Sequence, residues 1–181
     1  MPLNDDIAKI LVGEDEIKEI CKRLGEQISK DYKGKNLLLV SVLKGAVVFM
    51  ADIMRNITCD CKIDFMAVSS YSGTKTTGVV KFKKDLDINP DGCDILLVED
   101  ILDSGITLAY LKKVLYNRNA TSIKVCAFLD KPSNRQADIV ADYVGKVIPD
   151  EFVVGYGLDF DEKYRNLPYV GVLSPKMYAD K

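Results

Sequence analysis

With 181 residues, 48% hydrophobic and 29% charged, the chain has the size and balance of one globular domain with a substantial core. Its 25 basic and 27 acidic side chains leave a formal charge of −2, which gives no global attraction to nucleic acid or anionic lipid, so any phosphate binding has to be local. The sequence contains no histidine, which excludes Ser-His-Asp and Cys-His catalysis and moves acid and base work onto carboxylates, lysines or tyrosines.

Over residues 14–32, Ile17, Ile20, Cys21, Leu24 and Ile28 recur at spacings that share one helical face, which predicts a packing helix. After the turn signal Lys33-Gly34-Lys35, residues 36–43 (NLLLVSVL) are continuously apolar, as in a strand covered on both faces. A second helical pattern opens at Gly45. The alternation then repeats as strand 63–68, a polar stretch, strand 94–98, helix 108–116 and strand 123–129. Strands separated by helices predict an α/β fold with a central parallel sheet. Apolar runs at 139–147 and 152–158, with short turns between them, are expected to extend that sheet or to form a small appendage. No Pro/Gly/Ser linker, repeat or low-complexity tract divides the chain, so a single domain over residues 1–181 is expected.

Five scattered cysteines, Cys21, Cys59, Cys61, Cys93 and Cys126, do not form a disulfide framework and fit a reducing compartment. Cys59 and Cys61 lack the histidines or the second cysteine pair that would complete a tetrahedral zinc site. No apolar run approaches the roughly 20 residues of a spanning helix, and no basic-then-apolar leader opens the sequence. A cytoplasmic protein with no membrane and no nucleic-acid partner is expected.

Ligands of open α/β sheets lie beyond the carboxyl ends of the strands, which directs attention to the loops after Leu43, Val68, Val98 and Leu129. In the third, apolar residues 95–98 run into Glu99 and Asp100, and Asp103-Ser104-Gly105-Ile106-Thr107 leads into a helix. A tight, glycine-containing turn at a helix N-terminus points backbone N–H groups at an anion, and a phosphate monoester would sit there. Ser104 and Thr107 add hydroxyl donors, and the three carboxylates can hold ribose hydroxyls, water or a divalent cation. Asp103 acting as a plain helix cap is the simpler reading of D-S-G-x-T alone. Walker and dinucleotide fingerprints are absent.

The whole string, LLVEDILDSGIT, resembles the phosphoribosyl diphosphate motif of type I phosphoribosyltransferases. The other loops resemble the hypoxanthine-guanine branch of that family, in matching order from Leu43 to about Leu173. That resemblance implies the family fold, with a small hood built from the terminal segments, and purine salvage from phosphoribosyl diphosphate with Mg2+ as cofactor. It also implies a homodimer or homotetramer. Lys44 and Gly45 of the L-K-G loop, where relatives hold a cis peptide, would bind the diphosphate leaving group. Ser70 and Tyr71 would begin a mobile loop that closes over the site and excludes water. Lys131 would donate to the exocyclic oxygen of a 6-oxopurine, although most lysines read alone are solvated.

Phe152-Val153-Val154-Gly155-Tyr156-Gly157-Leu158-Asp159 reads locally as a buried strand ending at an acid. By resemblance, Phe152 would stack on the purine, the Val153 backbone would read its edge, and Asp159 would join Glu99 and Asp100 around magnesium. Arg165 would reach the diphosphate. Ser104 to Thr107 would cradle the monophosphate, with Ile106 contributing backbone but not the positive charge that some relatives carry there. Asp103 would be the catalytic residue, managing the proton of the purine imidazole ring. A xanthine- or adenine-preferring enzyme and a phosphoribosyltransferase-like RNA-binding regulator are the alternative readings.

Overall fold

The computed structural model describes residues 3–70 and 80–179. Strands β1 (Ile7–Val12), β2 (Leu37–Leu43), β3 (Cys61–Ser70), β4 (Val80–Lys84) and β5 (Asp94–Leu102) are followed by β6 (Ser122–Asp130), β7 (Tyr143–Val147), β8 (Val153–Val154) and β9 (Val170–Leu173). Helices α1 (Glu14–Asp31), α2 (Val47–Asn56) and α3 (Ile106–Tyr116) complete the described elements longer than one turn.

The larger sheet has the order β4-β3-β2-β5-β6-β7. Every pairing in it is parallel except β3 with β4, so the sheet is mixed rather than wholly parallel. The exception is a lysine-rich edge, VKFKK, whose charges suit a strand with one open side. On β2, period-two alternation sends Leu37 and Leu39 to the layer formed with α1 and α2. Leu38, Val40 and Val42 go to the opposite layer, which contains α3 residues Leu108, Leu111 and Leu115. Helix α1 buries Ile17, Ile20, Cys21, Leu24 and Ile28, the face its spacing predicts, and its first turn carries Glu14, Asp15 and Glu16 at the positive end of the helix dipole.

A smaller antiparallel sheet, β1-β9-β8, joins the two ends of the chain through Ile7↔Leu173 and Val12↔Val170. It matches the hood expected from the terminal segments. The two apolar runs resolve differently. From residues 139–147, the strand Tyr143–Val147 extends the main sheet beside β6. From residues 152–158 only Val153 and Val154 form a strand, and Gly155, Tyr156 and Gly157 follow with positive φ, which ends the extended backbone.

The chain order places β2 and β5 side by side at the centre, with their crossovers leaving in opposite directions, β2 through α2 to β3 and β5 through α3 to β6. The crevice at such a switch point lies outside the carboxyl ends of the two strands.

Candidate active site

Lys44-Gly45 follows β2, and the acidic string ends β5, so both segments converge on that crevice. The Leu43–Lys44 peptide is cis. A Cβ added to Gly45 would lie 1.9 Å from Asp100 Oδ2, so a residue without a side chain lets the loop pack directly against this carboxylate.

Glu99 and Asp100 do not lie in a loop. Strand β5 runs on to Leu102, because its ladder with β6 continues through Glu99↔Ala127, Ile101↔Leu129 and Leu102↔Asp130. The two carboxylates are therefore held on strand backbone, Asp100 buried and Glu99 half-buried with one oxygen enclosed. Burial pushes the Asp100 carboxyl up to about 6, against the pull of its backbone hydrogen bonds and of Arg165, with the charge of Asp159 adding to the rise. Burial raises Glu99 well above the usual carboxylate range, with the charge of Asp100 beside it as a second cause. Among the described residues, Glu99 Oε2 is buried without a hydrogen-bond partner. Such a pair is unfavourable until a cation or a set of hydroxyl donors arrives.

Asp103 is not the helix cap. Gly105 occupies that position at φ 78°, and α3 begins at Ile106, two residues earlier than its apolar pattern indicates. A Cβ on Gly105 would lie 2.5 Å from Ile139 Cγ2, so both conformation and space call for glycine. The first N–H groups of α3 lack intrahelical acceptors, and beside this turn lies a cavity of about 100 Å³ lined by Glu99, Asp103, Ser104, Gly105 and Thr107 among others. The carbonyl of Ser104 accepts the N–H groups of Gln136 and Ala137 at 2.9 and 3.1 Å, which ties this turn to the segment after β6.

Lys131 begins that segment, and its N–H donates to the carbonyl of Leu102 at 3.0 Å. Its side chain is buried, at 9% exposure, where a solvated surface lysine would be open. The ammonium donates to the Glu151 carbonyl at 3.2 Å and to Asp150 Oδ1 at 3.4 Å, and it lies 3.8 Å from Asp103 Oδ2. The other oxygen of Asp103, Oδ1, is buried without a partner among the described residues. A fixed donor and a carboxylate thus share one small region.

Phe152 is 42% exposed, contrary to the buried strand its local sequence indicates, because the chain leaves the core before β8 begins. Its ring stacks on Tyr178 at 5.3 Å and meets Phe160 edge-on at 5.5 Å. Val153 is buried and opposite Val172. Because Leu173 N–H donates to the Phe152 carbonyl at 2.8 Å, Val153 falls in the alternate, non-hydrogen-bonded position, and its own N–H and C=O point away from β9.

Asp159 accepts the Glu162 N–H at 2.9 Å and pairs with Arg165, also at 2.9 Å. Arg165 additionally donates to the carbonyl of Gly157 at 2.9 Å. Ser70 ends β3, and Tyr71, with the rest of the loop to residue 79, lies outside the described residues. Among the described residues, no three His, Cys, Asp or Glu side chains converge as a metal cage. Glu99, Asp100 and Asp159 would act on a cation as one or two ligands each in company with substrate oxygens, which is the usual habit of magnesium.

Two residues that the sequence reasoning did not single out belong to this region. Tyr156, at φ 51°, donates its hydroxyl to Asp52 Oδ2 at 2.7 Å and so pins the turn after β8 to α2. Glu162 contacts both Lys44 and Arg165, at 3.0 and 3.3 Å. Neither role follows from local pattern, since each depends on partners from distant parts of the chain.

The phosphoribosyl transferase domain model matches residues 13–161. The chain belongs to the phosphoribosyltransferase family. It is 49% identical over 179 residues to a hypoxanthine-guanine phosphoribosyltransferase of Staphylococcus aureus strain Mu50, covering 98% of this chain and 100% of that protein. It is also 49% identical over 179 residues to the bifunctional protein TilS/HprT of Listeria monocytogenes, of which it spans 28% of the length. A crystal structure of a Staphylococcus aureus hypoxanthine phosphoribosyltransferase superposes with a TM-score of 0.95, covering 98% of this chain and 97% of that one. A hypoxanthine-guanine phosphoribosyltransferase of Bacillus anthracis, 46% identical, gives 0.88, covering 93% of this chain and 98% of its own. Membership of the phosphoribosyltransferase family agrees with the mixed, mainly parallel sheet and the acidic segment at its switch point.

Proposed function

We propose that this chain transfers the phosphoribosyl group of phosphoribosyl diphosphate to hypoxanthine, and also to guanine, releasing diphosphate and forming the nucleoside monophosphate. The observation that carries this reading is the buried Lys131 ammonium 3.8 Å from Asp103, beside the turn that caps α3. An ammonium only donates, so it suits the exocyclic oxygen of a 6-oxopurine and meets the amino group of adenine badly.

In this reading the base stacks on Phe152 while the outward N–H and C=O of Val153 read its edge. The Ser104–Thr107 turn holds the 5′-monophosphate on backbone donors, and Glu99 and Asp100 orient the ribose hydroxyls. Cleavage of the anomeric C–O bond builds positive charge on the sugar and negative charge on the leaving diphosphate. Lys44, the Gly45 backbone and Arg165 stabilise the latter as it develops, which is differential stabilisation of the transition state. Asp103 takes or shares the proton at the imidazole ring of the purine, making the attacking nitrogen more nucleophilic. Glu99, Asp100 and Asp159 would hold magnesium, which would supply charge neutralisation on the leaving group.

Five free cysteines support a cytoplasmic location, and no helix among the described residues is long and apolar enough to cross a membrane. We further infer one catalytic domain over residues 1–181, assembled as a homodimer or homotetramer, which light scattering would measure. The function is tested by supplying hypoxanthine, guanine, xanthine or adenine with phosphoribosyl diphosphate and magnesium and following diphosphate release. Turnover with hypoxanthine and guanine is expected. No release with any base would overturn the reading.

A further inference from the structure

Lys44 and Arg165, both assigned above to the diphosphate, carry side-chain cations that already share an anion. Glu162 Oε1 lies 3.0 Å from Lys44 Nζ, and Oε2 lies 3.3 Å from an Arg165 guanidinium nitrogen. Lys44 is 118 positions away in the sequence, on the loop after β2, so the contact is built by the fold. Both cations hold the Glu162 carboxyl below its usual range, Lys44 being the larger cause.

The backbone aims this side chain. Phe160 and Lys163 exchange backbone hydrogen bonds at 3.2 and 3.1 Å, closing a two-residue hairpin. Its central residues, Asp161 and Glu162, both have positive φ, 56° and 60°. This is the conformation of a turn that favours Asn-Gly, and a glutamate has no intrinsic preference for it. The Glu162 N–H is fixed on Asp159 Oδ2 at 2.9 Å, and Asp159 is itself paired with Arg165. A residue in an uncommon backbone conformation is thus held where its carboxylate bridges two cations.

The bridge is also displaceable. The Lys44 and Glu162 side chains are 67% and 65% exposed, so the pair is screened by water and salt and is individually weak. A diphosphate carries several negative charges against the single charge of Glu162 and would take the same donors.

We propose that Glu162 is an internal competitor for the diphosphate subsite: its carboxylate holds Lys44 and Arg165 when diphosphate is absent and lowers diphosphate affinity because it has to be displaced. The proposal rests on the assignment of that subsite made above. It gives the enzyme a way to orient both cations in the free state while keeping the released diphosphate from binding tightly.

The test is calorimetric titration of sodium diphosphate, with magnesium, into the wild-type protein, Glu162→Gln and Glu162→Gly. Inosine monophosphate serves as the reference ligand because it does not use this subsite. Glu162→Gln keeps the side-chain length and removes the charge, and Glu162→Gly also relieves the left-handed backbone. Both variants should bind diphosphate about three- to tenfold more tightly at low salt, with the gain shrinking at high salt and inosine monophosphate affinity unchanged within about twofold. Equal or weaker diphosphate binding by Glu162→Gln would overturn the proposal, as would tightening confined to Glu162→Gly, which would assign the effect to the backbone. If the wild-type protein binds inosine monophosphate but no diphosphate, the subsite assignment itself fails, a result distinct from equal affinities.

Discussion

Replacing Lys131 by methionine isolates the group proposed to select the base. Methionine is unbranched and fills most of the volume of the lysine stem, so packing around this buried side chain should survive. Removing the ammonium leaves Asp150 and Asp103, but their side chains are 59% and 45% exposed and can take up water. The Glu151 carbonyl loses one donor at 3.2 Å. These losses sum to about 1 kcal/mol of stability, or a Tm lower by roughly 2–4 °C for a chain of this size. The base loses more. One charge-assisted hydrogen bond to the exocyclic oxygen is worth about 1.5–3 kcal/mol, which corresponds to a KM for hypoxanthine raised about 10- to 100-fold. Steady-state kinetics with each substrate varied in turn, together with calorimetry of diphosphate binding, would measure both sides. A hypoxanthine KM within threefold of wild type, or an equal loss in phosphoribosyl diphosphate affinity, would refute the assignment of Lys131 to the base.

Asp103→Asn should lower kcat by about 10²-fold or more while leaving phosphoribosyl diphosphate binding largely intact, and near-normal turnover would remove Asp103 from proton transfer. Gly105→Ala places a Cβ at φ 78° and 2.5 Å from Ile139. A cost of about 2 kcal/mol is expected, seen as a Tm lower by roughly 4–8 °C and as weaker phosphoribosyl diphosphate binding. Asp100 binds its proton more tightly in the folded protein, at about 6 against an ordinary 3.8, so stability falls as pH rises between those values and levels off above them. The contribution reaches about 3 kcal/mol at neutral pH. Asp100→Asn should therefore gain stability over wild type at pH 8 but not at pH 4, while losing substrate affinity, and denaturant titrations at the two pH values would show whether it does.

Much of the scaffold is legible in the sequence because α1 and β2 carry their burial in local pattern. The 3.6-residue apolar spacing of α1 and the unbroken NLLLVSVL run leave little choice. Strand β1 is less visible, since residues 8–10 face solvent and its pairing lies with residues 170–173 at the far end of the chain. Strand β4 reads as a polar tract because an edge strand can be mostly lysine. The acidic pair looks like the start of a loop, and only the β6 ladder shows that Glu99 and Asp100 are strand residues.

The same distinction applies to the site. Gly105 and the Ser104–Thr107 turn can be located from their motif because glycine and small hydroxyl residues mark a tight turn wherever they occur. The burial of Lys131 and the exposure of Phe152 cannot, because each depends on what the rest of the fold covers. Glu162 is hidden most completely. Its neighbours in sequence are acidic, basic and aromatic in no pattern, and its meaning lies in Lys44, brought to it by the cis-linked loop after β2.

The proposed function joins a 6-oxopurine to phosphoribosyl diphosphate at one site, with Lys131 and Asp103 acting on the base. Its most direct test is the stoichiometry of nucleotide formed to diphosphate released when the wild-type protein meets phosphoribosyl diphosphate and magnesium with hypoxanthine or with adenine. One inosine monophosphate per diphosphate, with adenine giving little of either, is the predicted result. Equal turnover of adenine, or diphosphate released with no nucleotide formed, would contradict it.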